Sequence, residues 1–160
     1  RAVTAAMNSA RNFLRGLGMD IYDPHKSPTK AFVGRIGEPH TFLGYKLIPG
    51  SYPPSDASIR NLESSIHNAL FNGRKSISKS ISGKKISGSD KLFIQTLSNV
   101  NNIIKAWRAS FPCSNSPKVF ADIDSRIDCR LRDFADFFRK KTFGLTLEKK
   151  RQAYGITRLS

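Results

Sequence analysis

The chain has 160 residues, a hydrophobic fraction of 39% and a net charge of +15, with an isoelectric point of about 10.3. That length suits one domain or one domain plus a lobe, and the apolar content excludes wholesale disorder. The positive excess points to a polyanionic partner. Nucleic acid stands ahead of an anionic membrane surface, because basic residues recur along the chain and flank apolar helical stripes.

Val3, Met7, Ala10, Leu14 and Leu17 recur at steps of four and three, which predicts an amphipathic helix, with Gly16 and Gly18 as its stop. Met19 to Tyr22 alternate and read as a short strand that Asp23-Pro24 ends. The runs 31–36 and 40–48, split by Gly37, Glu38 and Pro39, predict a small hairpin. Pro49-Gly50 and Pro53-Pro54 form a break, and the domain boundary is placed there, after residue 50.

Ser55 then reads as an N-cap with Asp56 in the first turn. Ile59, Leu62, Ile66 and Leu70 form the stripe of that helix, and Gly73 its close. Residues 74–91 are rich in Ser, Gly and Lys. They read as a solvated linker or as a flexible loop lying on a phosphate backbone, with Ile77, Ile81 and Ile86 leaving room for a weak hairpin. Phe93, Leu97, Val100, Ile104, Trp107 and Phe111 predict the next helix, with the indole inward and Pro112 as its stop. Pro117 opens the following segment, and Asp122 or Asp124 is expected to cap the last long helix. Ile123, Ile127, Leu131, Phe134 and Phe138 face inward, and Arg126, Arg130, Arg132, Arg139, Lys140 and Lys141 outward. A tail from Thr142 carries Lys149, Lys150, Arg151 and Arg158. Helices with one apolar stripe each must pack together, so the expected class is α+β: a small β-hairpin followed by a three-helix bundle.

No metal site is expected. Cys113 and Cys129 lack a Cys-x-x-Cys pair, and His25, His40 and His67 are scattered. Both cysteines read as reduced and partly buried. Asp122, Asp124 and Asp128 read as capping and salt-bridging residues. No apolar run is long enough for a membrane span. The first residues lack both an initiator Met and a signal-peptide core, which suits a piece of a longer protein.

The segment Leu17 to Lys26 (Leu-Gly-Met-Asp-Ile-Tyr-Asp-Pro-His-Lys), followed by His-Thr-Phe-Leu-Gly-Tyr at 40–45, resembles the end of the palm in bacterial-type reverse transcriptases. These are the enzymes of group II introns, retrons and defence systems. Residues 103–111 and 119–127 resemble the thumb helices of the same family. The chain departs from the family at Ser27, where threonine is usual, at Ala106 in place of a glycine, and at Ser110-Phe111 in place of an aromatic pair.

The resemblance implies that residues 1–50 end a palm and residues 51–160 form a helical thumb with a basic tail. The chain would then be the C-terminal part of an RNA-directed DNA polymerase. Lys26 is the implied catalytic residue, near the triphosphate, where it neutralises charge and protonates the leaving group. Phe42, Leu43, Gly44 and Tyr45 are the implied primer grip, with Phe42 and Leu43 on opposite faces, one of them anchoring the hairpin, and Gly44 letting the backbone approach the primer. Lys79, Lys84, Lys85, Arg126, Arg130, Arg139 and Lys140 would hold the duplex by shape. The implied cofactor is Mg2+, bound by carboxylates outside this chain, so the chain alone is expected to be inactive. The implied partners are an RNA template, an RNA/DNA duplex and the fingers and palm of the same polymerase, in a bacterial cytoplasm and without a membrane. A stand-alone, maturase-like RNA-binding module is the alternative.

Overall fold

A computed structural model describes residues 2–27, 31, 34–35 and 37–156. They fall into two compact units, residues 1–38 and 39–160.

In the first unit, helix α1 spans Ala2–Gly16. Its end is a Schellman motif: Gly18 takes a φ of 74°, its N–H donates to Arg15 O, and Met19 N–H donates to Leu14 O. Leu17 and Val3 on the predicted stripe are exposed. The strand expected at Met19 to Tyr22 does not form; those residues lie outside any sheet. Extended residues need a neighbouring strand to satisfy their backbone groups, and among the described residues none is paired with them. The chain turns instead at Asp23, whose Oδ1 accepts the His25 N–H at 2.9 Å and whose carbonyl accepts from Lys26 and Ser27.

The second unit opens with an antiparallel hairpin, β1 (His40–Phe42) and β2 (Tyr45–Leu47), with Phe42 paired to Tyr45. The predicted hairpin between 31–36 and 40–48 is therefore corrected: both strands lie inside the second run. Residues 31, 34 and 35 form no strand, and positions 32, 33 and 36 lie outside the described residues. The turn is Leu43-Gly44, with φ of 47° and 81°, the two positive values of a type I′ turn.

Helix α2 spans Asp56–Ile81. Ser55 caps it as expected, its Oγ accepting the Ser58 N–H at 3.2 Å. Gly73, read as the end, lies buried in mid-helix, and the expected linker begins only at Ser82. The inward stripe continues through small residues: Gly73, Ser76, Ile77 and Ser80 are all buried. Ile77 and Ile81 are thus a helical i,i+4 pair and not alternate residues of a hairpin. Missing side-chain volume at Gly73 lets α3 (Phe93–Ala109) approach closely, for a Cβ there would sit 2.5 Å from Thr96 Oγ1. Helix α2 ends in a second Schellman motif around Gly83.

Helix α4 spans Pro117–Thr142, with Ser116 at its N-cap and Pro117 in the first turn. Asp122 and Asp124, expected as caps, are exposed residues inside the helix. A further helix, α5 (Leu147–Tyr154), occupies the expected tail; Thr146 caps it by accepting the Lys149 N–H, and Gly155 ends it in αL. The bundle among the described residues therefore has four helices after the hairpin, α2 to α5, where three were expected. Their shared core holds Leu62, Ile66, Leu70 and Ile77 of α2, Val100 of α3, Ile123, Ile127, Phe134 and Phe138 of α4, and Ala153 of α5. Phe93 stacks on Phe134 at 5.4 Å and meets Phe138 at 4.1 Å and Tyr154 at 5.8 Å, which explains how so short a helix as α5 is held. Truncating a buried Phe such as Phe134 costs about 3–5 kcal/mol.

The compact units divide at 38/39, and the hairpin belongs to the same unit as the helices. The cause is the number of ties between the hairpin and the helices. Ser55 N–H donates to Gly44 O at 2.7 Å and Lys46 N–H to Pro53 O at 2.8 Å. Asn115 bridges the next loop, accepting from Tyr52 N–H at 2.8 Å and donating to Gly50 O at 2.9 Å.

Candidate nucleic-acid interface

The hairpin is rigid at its base and bare at its tip. An isolated two-stranded hairpin is marginal in water, so its stability comes from the anchor. Tyr45 is that anchor. Its ring meets Phe111 edge to face at 5.0 Å, its hydroxyl donates to Ser110 O and accepts from Cys113 N–H, both at 3.4 Å. Phe111 is itself buried and packs on Trp107 at 4.8 Å. Trp107 is half-buried, and its Nε1 donates to Ser58 Oγ at 3.0 Å. Neither Phe42 nor Leu43 anchors the hairpin: they are 62% and 81% exposed. The expected division of labour is thus corrected, because Leu43 sits in the turn and not in a strand. Gly44 is required for its positive φ; a Cβ there meets Phe111 only at 3.5 Å, an ordinary contact.

Lys26 belongs to the other unit. It lies exposed in the turn after Asp23. The His25 backbone N–H, together with the Arg11 guanidinium 3.7 Å away, holds the Asp23 carboxyl below its ordinary range. The turn that carries Lys26 is therefore fixed to α1.

The basic residues expected on a duplex divide into two sets. On α4, Arg126 and Arg130 are committed to a brace: both reach Glu63 of α2, at 3.2 and 3.6 Å, and Arg130 also donates to Glu63 O at 3.1 Å. Arg139 pairs with Asp136 at 3.2 Å, and Lys140 is exposed. The second set lies on and just after α2. Lys79, Lys84 and Lys85 were expected in a loop. Lys79 is instead in the last turn of α2, 3.4 Å from Asp90, and Lys84 and Lys85 follow the helix. Asp90 organises that connection: the Ser87 N–H, the Ser76 hydroxyl and Lys79 all bind its carboxylate and hold its pKa down.

An open groove of about 450 Å³ runs along this face, lined by Phe71, Arg74, Lys75, Ser78, Lys79, Ser82 and Lys84. Phe71, Arg74, Lys75, Ser78 and Ser82 share one outward helical stripe. The sequence does not single out Arg74 and Lys75, because Gly73 reads as the helix end. The signal lies in the apolar stripe, which continues from Leu70 through Ile77 and Ile81 and so carries Arg74 and Lys75 on the same helix.

Cys113 and Cys129 are free and both exposed, where partial burial was expected. Among the described residues no cluster of His, Cys, Asp or Glu could hold a metal ion, and no helix is long and apolar enough to cross a membrane. Comparison with protein-family models, curated proteins and solved structures finds no match.

Proposed function

We propose that this chain holds a nucleic-acid duplex, as the palm end and helical thumb of an RNA-directed DNA polymerase of the bacterial reverse-transcriptase type. The observation that carries the reading is the hairpin. The tetrapeptide Phe42 to Tyr45, singled out by its resemblance to a primer grip, forms a two-residue type I′ turn with a bare tip and an aromatic anchor in the helices behind it. A projecting tip of fixed geometry suits contact with one end of a strand. The net charge of +15 supports the same reading, since neutralised phosphates release counterions.

In this reading Lys26 attends the incoming triphosphate, the hairpin tip positions the primer end, and the bundle holds the duplex by its backbone. The Mg2+ ions of nucleotide addition would be held by carboxylates outside this chain. The test is binding over a salt series to an RNA/DNA hybrid and, in parallel, to anionic vesicles. A log K that falls several-fold faster than log salt for the hybrid, with no vesicle binding, supports the proposal. Vesicle binding alone refutes it. A Tyr-x-Asp-Asp turn encoded shortly before Arg1 would favour the polymerase over a stand-alone RNA-binding module, and its absence would favour the module.

A further inference from the structure

We infer that the phosphates of one nucleic-acid strand run along the outward stripe of α2 and the residues that follow its end, at Arg74, Lys75 and Lys84, and not along the basic face of α4. The inference rests on the duplex-holding reading above and assigns the seat of the backbone within it.

Arg74 and Lys75 lean on rings instead of carboxylates: the Arg74 guanidinium carbon is 5.3 Å from the centre of Phe137, and the Lys75 ammonium 4.3 Å from that of Phe71. A ring face orients a cation without cancelling its charge. Lys75 and Lys84 are exposed, and neither these two nor Arg74 has a carboxylate at salt-bridge distance among the described residues. On α4 the three arginines nearest the other helices or an acid are paired: Arg126 and Arg130 share Glu63, and Arg139 has Asp136. An anion arriving at these three must compete with a carboxylate already in place; Arg132, Lys140 and Lys141 are exposed and form no salt bridge among the described residues.

Among the described residues, none that lines the α2 groove is acidic. Of the neighbouring depressions, Asp133 lines one and Asp90 the other. The charged side chains that line the α2 groove are therefore of one sign, an arrangement that favours a polyanion, with Asp90 reaching only Lys79 at its edge. From Phe71 to Ser82 the stripe runs about 16 Å at the helical rise, long enough to meet more than one consecutive phosphate of a single strand. Phe71, 47% exposed and stacked on His67 at 6.2 Å, closes one end with an aromatic surface.

The test is fluorescence anisotropy of a short labelled RNA/DNA hybrid over a sodium chloride series. Lys75→Gln/Lys84→Gln should lower the slope of log K against log salt by about 1.4–1.8, the value for two lost phosphate contacts. Lys105→Gln/Lys118→Gln, on exposed positions of α3 and α4, removes the same net charge and should leave the slope within a few tenths. Circular dichroism confirms that both variants remain folded. An α2 pair that behaves like this control overturns the inference, and so does a larger loss in Arg139→Gln/Lys140→Gln. Those results leave the duplex-holding reading standing, provided the unaltered chain binds the hybrid. No hybrid binding by the unaltered chain, or binding to anionic vesicles alone, overturns both.

Discussion

Replacing Gly73 by alanine should destabilise this protein, although alanine is the better helix former. In an open helix the exchange gains about 1 kcal/mol. Here the new Cβ would lie 2.5 Å from Thr96 Oγ1, 2.6 Å from Thr96 Cγ2 and 3.1 Å from Thr96 Cβ. Thr96 cannot retreat freely. It is 1% exposed, and its Oγ1 donates to Lys91 O at 3.0 Å. Overpacking of this kind costs about 1–3 kcal/mol, and bending the Thr96 hydrogen bond about 1 kcal/mol more. The propensity gain offsets about one of these, which leaves a net loss of about 1–3 kcal/mol. Urea unfolding followed by Trp107 fluorescence measures it, since the indole sits between Phe111 and Phe120 at 4.8 and 6.1 Å. Gly73→Ala/Thr96→Ala should recover a substantial part of the loss, giving a favourable coupling between the two positions. A Gly73→Ala variant that is more stable than the parent, or two changes that simply add, would refute the close approach of α2 and α3.

Three further outcomes follow from particular contacts. Leu43→Asn should stabilise the hairpin by about 0.5–1 kcal/mol, because Asn tolerates a positive φ and the exposed Leu43 side chain gives up little packing; amide exchange of Tyr45 and Lys46 reports it. Trp107→Phe removes the donor to Ser58 Oγ and should cost about 1 kcal/mol beyond any repacking, read as a lower urea midpoint by circular dichroism. Asp90 has its folded pKa below the ordinary 3.8, so its contribution is complete above that value and fades as pH falls through the lower folded one. Asp90→Asn should therefore be less stable at neutral pH, and the gap to the parent should narrow as pH falls from about 5 towards 2, in urea midpoints measured at each pH.

The stripes of α2 and α4 are legible because period carries burial there, whereas the α1 stripe leaves Val3 and Leu17 exposed. Leu62, Ile66 and Leu70 on α2, and Ile123, Ile127, Phe134 and Phe138 on α4, are buried as their spacing requires. What the sequence concealed was where small residues do the packing. Gly73, Ser76 and Ser80 look like punctuation, yet all three are buried within α2, and Gly73 makes room for Thr96 of α3, so a single helix of 26 residues reads in the sequence as a short helix and a linker. The hairpin was legible at its turn, from Gly44, but not in its strand pairing, because the run at 31–36 has as much β character as the true strands. Helix α5 escaped notice because only one of its residues, Ala153, is buried. Among the candidate binding residues, Phe42 and Tyr45 could be named from the chain. The pairing of Arg126 and Arg130 with Glu63 could not, since the acid lies on another helix more than sixty positions away. Charge alone marked these arginines as available; only the fold reveals which cations are already answered.

The most direct measurement is photo-crosslinking from the hairpin tip, with a benzophenone side chain in place of Phe42 and an RNA/DNA hybrid that has a recessed 3′ end. The account predicts adducts concentrated on the last nucleotides of the recessed strand. Adducts spread evenly along the duplex, or none from a protein that binds the same hybrid, would contradict it.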